Sequence, residues 1–231
     1  MARPRSVNLP PAAPPTTLRE RLTELRPARA VAVPRPFEHE GPVDALRTGR
    51  LVLRRLAPAD RAEFARVMNL SRDHLAAAVG LWRDEETVDA LFERQLEMAR
   101  AGDERGGGWR RVGVLGDGKI AGGFNLNGIT RGLTFEADAT WWLAADQVGR
   151  GLAVEGARAM VEHAMGDLPL GLGLHRVQAA IQPGNARSRK VAERAGFSLQ
   201  PGATVSIRLG ARWELHEMHA RSVLDAVNLA G

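Results

Sequence analysis

The chain has 231 residues, 44% of them apolar, with no cysteine, no tyrosine and a formal net charge of +5. That size and apolar share suffice to bury the core of one full domain plus an extension, while the missing cysteines exclude disulfides, thiolate nucleophiles and cysteine-based metal sites. The positive balance is modest and suits small anionic partners without demanding nucleic acid; there is no stripe of interleaved basic and aromatic residues of the kind that stacks single-stranded bases.

Residues 1–48 hold nine of the thirteen prolines and read as a proline- and arginine-rich extension. Within it, 17–25 is the one stretch fit for a short helix, with Thr17 as cap and Glu20 three residues on. The first residues, Met1-Ala2-Arg3-Pro4-Arg5, lack the apolar core of a secretion signal. No window is long and apolar enough to span a bilayer, so a cytoplasmic protein without membrane contact is expected.

The main domain is expected over 49–222, with 223–231 as a tail. In residues 49–56, Leu51, Leu53 and Leu56 are expected inward with arginines outward, which predicts a strand. Residues 58–68 predict a helix with Leu56 packed at its entry. Residues 85–101 predict a second helix, with Val88, Leu91, Phe92, Leu96 and Ala99 facing inward. Residues 109–115 and 119–126 pair as a hairpin around Gly116-Asp117-Gly118. Residues 133–143 form a longer strand, then come a glycine turn with a helix, the apolar strand 177–181, a helix led by Asn185, and two closing strands. The fold class is therefore α/β, a mixed twisted sheet flanked by helices.

Two blocks carry chemistry. In Gly149-Arg150-Gly151-Leu152-Ala153-Val154-Glu155, two glycines let the backbone turn sharply just before a helix begins. The free N–H groups at a helix start, with its dipole, favour a phosphate there. The second block runs from Asn185 through Ser188 to Gly196-Phe197. Asn185 is a good N-cap, and Gly196 ends the helix.

In this order, the two blocks resemble the GNAT superfamily of acyl-CoA-dependent N-acyltransferases, nearest the branch of ribosomal-protein serine and alanine N-terminal acetyltransferases. Asp138-Ala139-Thr140-Trp141-Trp142-Leu143 is similar to that branch's acidic-x-Gly-aromatic-Trp-Leu strand, and Trp213-Glu214-Leu215-His216 to its closing strand. The chain departs from the pattern in three places. Val148 stands where Gln or Arg usually opens the phosphate loop, with Gln147 one place earlier. Thr140 stands where glycine is common. No tyrosine is available as the acid that many relatives use on the departing thiolate.

The resemblance implies acetyl-CoA as cosubstrate and transfer of its acetyl group to a primary amine, with a protein N-terminus as one acceptor. An antibiotic or polyamine is the rival acceptor, and a non-catalytic acyl-CoA-binding module is the alternative. It implies that Trp142, Leu143, Val148, Gly149, Arg150, Gly151, Leu152, Ala153 and Asn185 hold CoA.

Attack requires a neutral amine, so a carboxylate must take its proton, directly or through water. Asp138 and Glu136 lie two apart on one strand face, and Asp138 matches the family's acidic position. Backbone N–H groups of Trp142 and Leu143 can steady the developing oxyanion where the strand parts from its neighbour. Ser188, at the family's serine position, is the donor to the leaving thiolate and also touches CoA.

The acceptor cleft is expected from about 70–86 and 125–133, with Trp82 as a wall; Glu38, Glu40, Asp84, Glu85 and Glu86 could attract a cationic acceptor or serve as routine helix-start charges. The six histidines are scattered and give no metal-ligand pattern, so no metal is expected. A homodimer through the closing strands fits the pattern, although nothing in the sequence specifies it.

Overall fold

The structure, a computed structural model, describes residues 45–76, 80–83, 85–210 and 212–228. The proline-rich extension before Ala45, with its expected helix over 17–25, lies outside them, as do Glu38, Glu40 and Asp84.

One eight-stranded sheet organises the chain in the order β1-β2-β3-β4-β5-β6-β8-β7. Its strands are β1 (Ala45–Arg47), β2 (Val52–Arg54), β3 (Trp109–Val114), β4 (Ile120–Thr130), β5 (Glu136–Leu143), β6 (Arg176–Ile181), β7 (Ser198–Leu209) and β8 (Arg212–Ser222). All neighbours are antiparallel except β5 and β6. The helices are α1 (Arg61–Ala76), α2 (Val88–Arg105), α3 (Leu152–Met165), α4 (Ala186–Arg194) and α5 (Val223–Asn228).

The strand expected over 49–56 is only the short β2, Val52–Arg54, and among the described residues the sheet starts earlier, with β1 at Ala45, inside the stretch assigned to the extension. The helix expected from Pro58 begins as a 3-10 turn over Pro58–Asp60 and continues as α1 to Ala76. Asp60 accepts the Ala57 N–H at 2.8 Å and so fixes the start. The second helix starts at Val88 because Thr87 caps it, Oγ1 accepting the Ala90 N–H at 3.1 Å. β5 begins at Glu136 and not at Leu133. Gly132 and Phe135 both adopt positive φ, which ends β4 in a turn before the chain can extend again. Of the segment expected as a tail, Val223–Asn228 forms α5.

Strand alternation sorts the core into two layers. Leu53, Trp109, Phe124, Leu126, Ala137, Ala139 and Leu143 face α3 and α4, where Ala157, Met160, Val161, Ala192 and Phe197 meet them. Val112, Val114, Ile120 and Trp142 face α1 and α2, against Phe64, Met68, Leu91 and Phe92. The expected inward face of α2 is the one that packs, with Val88 and Leu96 partly buried beside Leu91, Phe92 and Ala99.

Two contacts set α3 against the sheet. A Cβ at Gly156 would lie 2.2 Å from Phe124 Cζ, so only glycine lets the helix approach β4. At the helix start, Glu155 accepts from Thr48 Oγ1 at 2.5 Å and from Arg50 N and Nε at 2.7 Å each, tying α3 to the β1–β2 turn. Burial alone would raise the Glu155 carboxyl, but these hydrogen bonds outweigh it and hold the group below the usual glutamate range.

The Gly156→Ala variant is expected to lose about 1–3 kcal/mol in denaturant titration, because the Phe124 ring is fully buried and has nowhere to retreat. Gly116→Ala, whose Cβ meets nothing within 4 Å, serves as the silent control. Glu155 titrates lower when folded than when unfolded. Its contribution is therefore complete above the unfolded value near 4.3 and fades as the pH drops through the lower folded value. Glu155→Gln should cost roughly 1–3 kcal/mol at pH 7 and flatten the dependence of Tm on pH below about 4.

Candidate active site

β5 and β6 run side by side for three positions only: Glu136 with Arg176, Ala137 with Val177, and Asp138 with Gln178. Beyond Asp138, β5 stays in register with β4 as far as Leu143, while β6 stays in register with β8 as far as Ile181. The two strands thus part in the middle of the sheet.

The backbone direction in this gap follows from one hydrogen bond. The Ala144 N–H donates to Ala121 O at 2.9 Å. By the alternation of an antiparallel ladder, Trp142 also turns its N–H toward β4, whereas Trp141 and Leu143 turn theirs toward the gap. Of the two expected oxyanion donors, Leu143 therefore presents a free N–H. Trp142 does not, because its N–H is spent in the ladder.

The gap opens into a cavity of about 350 Å³. Ala139, Thr140, Trp141 and Trp142 form one wall, and Ala179, Ala180, Ile181 and Gln182 form the other. The tryptophan pair splits across the sheet. Trp141 packs on Phe197 with ring centroids 6.0 Å apart, and Trp142 is buried against α1 and α2. A Cβ at Gly123 would sit 2.3 Å from Trp142 Nε1, so the indole needs that glycine beside it.

At the end of β5 the chain makes a 3-10 turn, Ala145–Gln147, and then the glycine turn. Gly149 and Gly151 both take φ near +78°, and Gly151 stands at the N-cap of α3 without a side-chain cap. Glu155 N is the first to bond back to this cap, to Gly151 O at 3.2 Å, which leaves the N–H groups of Leu152, Ala153 and Val154 directed at the turn. Val148 is extended and exposed. The buried Gln147 accepts from Arg150 Nη1, and Arg150 O accepts from Arg50 Nη1 at 2.8 Å. The turn is thus braced by the residue beside Val148. A depression next to it is lined by Arg47, Arg50, Lys119 and Arg150, with Asp117 also in the lining and paired with Lys119 at 2.9 Å.

Asn185 and Ser188 both line the cavity. Asn185 Oδ1 accepts the Ser188 N–H at 3.0 Å and caps α4. Among the described residues, no hydrogen bond engages Ser188 Oγ. Asp138 lies one row from Thr140 on the same strand face, and its Oδ1 accepts from Gln178 Nε2 at 3.0 Å. Glu136 is one row further from the cavity, at the start of β5. Gly80 and Leu81 line the cavity, as do Asn125 and Asn127, within both stretches expected to supply the acceptor cleft.

Several cavity residues were not expected. Arg94 and Arg110 line the cavity, and so does Arg208. Arg110 on β3, Asn125 on β4 and Thr140 on β5 form one cross-sheet row. His216 also lines it, buried, with Nδ1 donating to Glu214 O at 2.8 Å, which leaves Nε2 as the nitrogen without a backbone partner. The closing-strand motif contained this histidine, but the spacing of histidines alone gave it no role.

Glu86, expected to attract a cation, is instead paired with Arg94 at 2.7 Å, and that contact lowers its carboxyl below the usual range. Trp82 lies under the Arg72 guanidinium, 4.2 Å from the ring centroid, and does not line the cavity. Among the described residues, no group of three or more His, Asp or Glu is placed to hold a metal ion, and no helix is long and apolar enough to cross a membrane.

Comparison with known proteins adds a family to this geometry. Residues 50–198 match the family described as "Acetyltransferase (GNAT) domain". The chain is 31% identical over 104 residues, 45% of its length, to the "Probable N-acetyltransferase YjcK" of Bacillus subtilis (strain 168), and spans 55% of the length of that relative. Among solved structures, Mycobacterium smegmatis RimJ in complex with CoA-disulfide superposes with a TM-score of 0.68 at 21% identity, over 77% of this chain and 87% of that one. The ribosomal-protein-S5-alanine acetyltransferase of Vibrio fischeri superposes with a TM-score of 0.65 at 20% identity, over 77% of this chain and 96% of that one. The match over residues 50–198 covers more than half of the sequence, so the chain belongs to the GNAT acetyltransferase domain family.

Proposed function

We propose that the protein transfers the acetyl group of acetyl-CoA to a primary amine, with a peptide N-terminus as the acceptor. The observation that carries this reading is the parting of β5 and β6 beyond Asp138 and Gln178, in line with an uncapped helix start. A long thin ligand with amides along its arm and phosphates at its end fits that combination. The free backbone groups of Trp141 and Leu143 can pair with the amides as an added strand would. The N–H groups of Leu152, Ala153 and Val154 suit a pyrophosphate, with Arg150 and the nearby Arg47, Arg50 and Lys119 supplying positive charge. The M. smegmatis RimJ structure holds CoA-disulfide, which supports the same assignment.

The transfer forms a C–N bond and breaks a C–S bond. The acceptor ammonium must lose two protons, one before attack and one once the C–N bond has formed, and the departing thiolate takes up one of them. The Leu143 N–H is aimed where the carbonyl oxygen acquires charge. Ser188 Oγ, free of other partners, donates to the thiolate. Asn185 holds the helix turn that carries Ser188.

Asp138 takes the amine proton. It lies about 7 Å along the strand from Thr140, beyond direct hydrogen-bond reach, so the proton passes through a water. Gln178 fixes the carboxylate by donating to Oδ1, leaving Oδ2 to accept. Glu136, another row away, is the lesser candidate.

The test is CoA-thiol release from acetyl-CoA with a panel of amines, alongside calorimetric binding of acetyl-CoA. Amine-dependent release is expected, and tight binding without release from any amine would overturn the catalytic reading. Asp138→Asn should lower kcat by about 10²–10⁴ with acetyl-CoA affinity unchanged. Ser188→Ala should lower it by roughly tenfold, the loss of one hydrogen bond to a charged group. Gly151→Val should weaken acetyl-CoA binding by about tenfold or more, because a β-branched residue resists positive φ.

A further inference from the structure

The acceptor side of the cavity is charged in one sense. Arg94, Arg110 and Arg208 line it, and among the described lining residues there is no carboxylate. Arg94 is offset by Glu86, bound through two contacts of 2.7 Å, and also donates to Leu81 O. Arg208 is exposed to solvent at the rim.

Arg110 has neither form of relief. Its partners are neutral amides, Asn127 Oδ1 on Nη1 and Gln95 Oε1 on Nη2 at 3.0 Å. A guanidinium has five N–H groups, so each Nη keeps one unspent. Burial, and after it the neighbouring Arg94 cation, push this guanidinium below its usual range. Its charge is therefore held at a cost that an incoming anion would offset.

An amine acceptor enters mostly as an ammonium, which Asp138 can attract beside the gap but which Arg110 repels on the β3 side. A polyamine or an aminoglycoside, with several cations, suits the cavity least. We infer that the acceptor carries a carboxylate on the same molecule as its amine, and that Arg110 is the residue that binds it.

This inference rests on the acetyl-transfer reading for the identity of the amine, but the anion site stands on its own lining. The cross-sheet row places Arg110 two strands from Thr140, about 10 Å between Cα atoms. The carboxylate then sits on the β3 side of the cavity, and the amine end sits at β5, beside the gap. Asn127 and Gln95 hold the guanidinium from two sides and fix where the anion must lie. The carboxylate has two sources, an acidic side chain near a peptide N-terminus or the acid group of a small amino acid.

The experiment is equilibrium binding to the full chain loaded with CoA, with initial rates measured in parallel on acetyl-CoA. C-terminally amidated peptides beginning Ala-Glu, Ala-Gln and Ala-Lys form one arm, and 4-aminobutyrate with its amide forms the other. The acidic member of at least one arm is expected to bind roughly tenfold or more tighter than its neutral partner, the usual worth of a hydrogen-bonded charge. Ala-Lys should be the weakest peptide.

Arg110→Met should erase the difference, and Arg110→Lys should keep part of it. The wild-type ranking needs no variant, so misfolding of Arg110→Met cannot rescue the inference. Equal affinities within both arms would overturn it, as would a preference that survives in a folded Arg110→Met protein. A preference confined to one arm identifies the source of the carboxylate. Acidic preference without CoA release from any amine would defeat acetyl transfer and leave the anion site standing, whereas release without preference would do the reverse.

Discussion

The functional geometry depends on one constraint, that β5 and β6 answer to different neighbours. β5 follows β4 down to the Gly122–Leu143 pair, and β6 follows β8 down to the Ile181–Glu217 pair. Trp142 anchors β5 from the face of α1 and α2, and Trp141 anchors it from the face of α4 through Phe197. With both faces of β5 pinned, the strand cannot bend back to close on β6. The backbone groups of Trp141 and Leu143 are left for another partner, and buried polar backbone rarely goes without one. The cavity, the aimed N–H of Leu143 and the position of Ser188 all follow from that separation.

Electrostatics divides the site into two ends. At the glycine turn, the partial charge of an uncapped helix start combines with Arg47, Arg50, Lys119 and Arg150. Glu155 neutralises part of Arg50 but also orders it, so the turn is fixed before any ligand arrives. At the cavity end, Arg94 is paired with Glu86 while Arg110 lies among amides, beside Asn125, Asn127 and Thr140, which are joined by contacts of 3.3 to 3.5 Å. A net charge of +5 for the whole chain says little about either end. What matters is that Arg110 is half-buried and faces uncharged partners.

Much of this was legible in the sequence because local rules and packing agreed. The glycine turn, the Asn185 cap, the inward face of α2 and the hairpin around Asp117 each follow from a residue preference with a clear mechanism. The end of β4 was not legible. Phe135 with φ of +51° is a conformation that a bulky residue adopts only under tertiary constraint, so no propensity announces it. Arg110 escaped for a different reason. In Trp109-Arg110-Arg111 the alternation separates the two arginines, but it cannot say that one face opens on a cavity while Arg111 meets Asp103 on the other. His216 likewise gains its place only when β8 passes the end of β6, a pairing between distant segments.

A sheet joined across its centre by three residue pairs is, mechanically, two smaller sheets with a narrow hinge of shared backbone. Each half has its own strand partners, β1 to β5 on one side and β6 to β8 on the other. A ligand whose amides bridge Trp141 and Leu143 to the far wall supplies the missing rungs and makes the halves one cooperative unit. Occupancy then enters the folding equilibrium by mass action, adding about 2.7 kcal/mol when the ligand stands at a hundred times its Kd. If acetyl-CoA is that ligand, as proposed, the empty protein is the softer form, and its resistance to unfolding becomes a gauge of how much cosubstrate surrounds it.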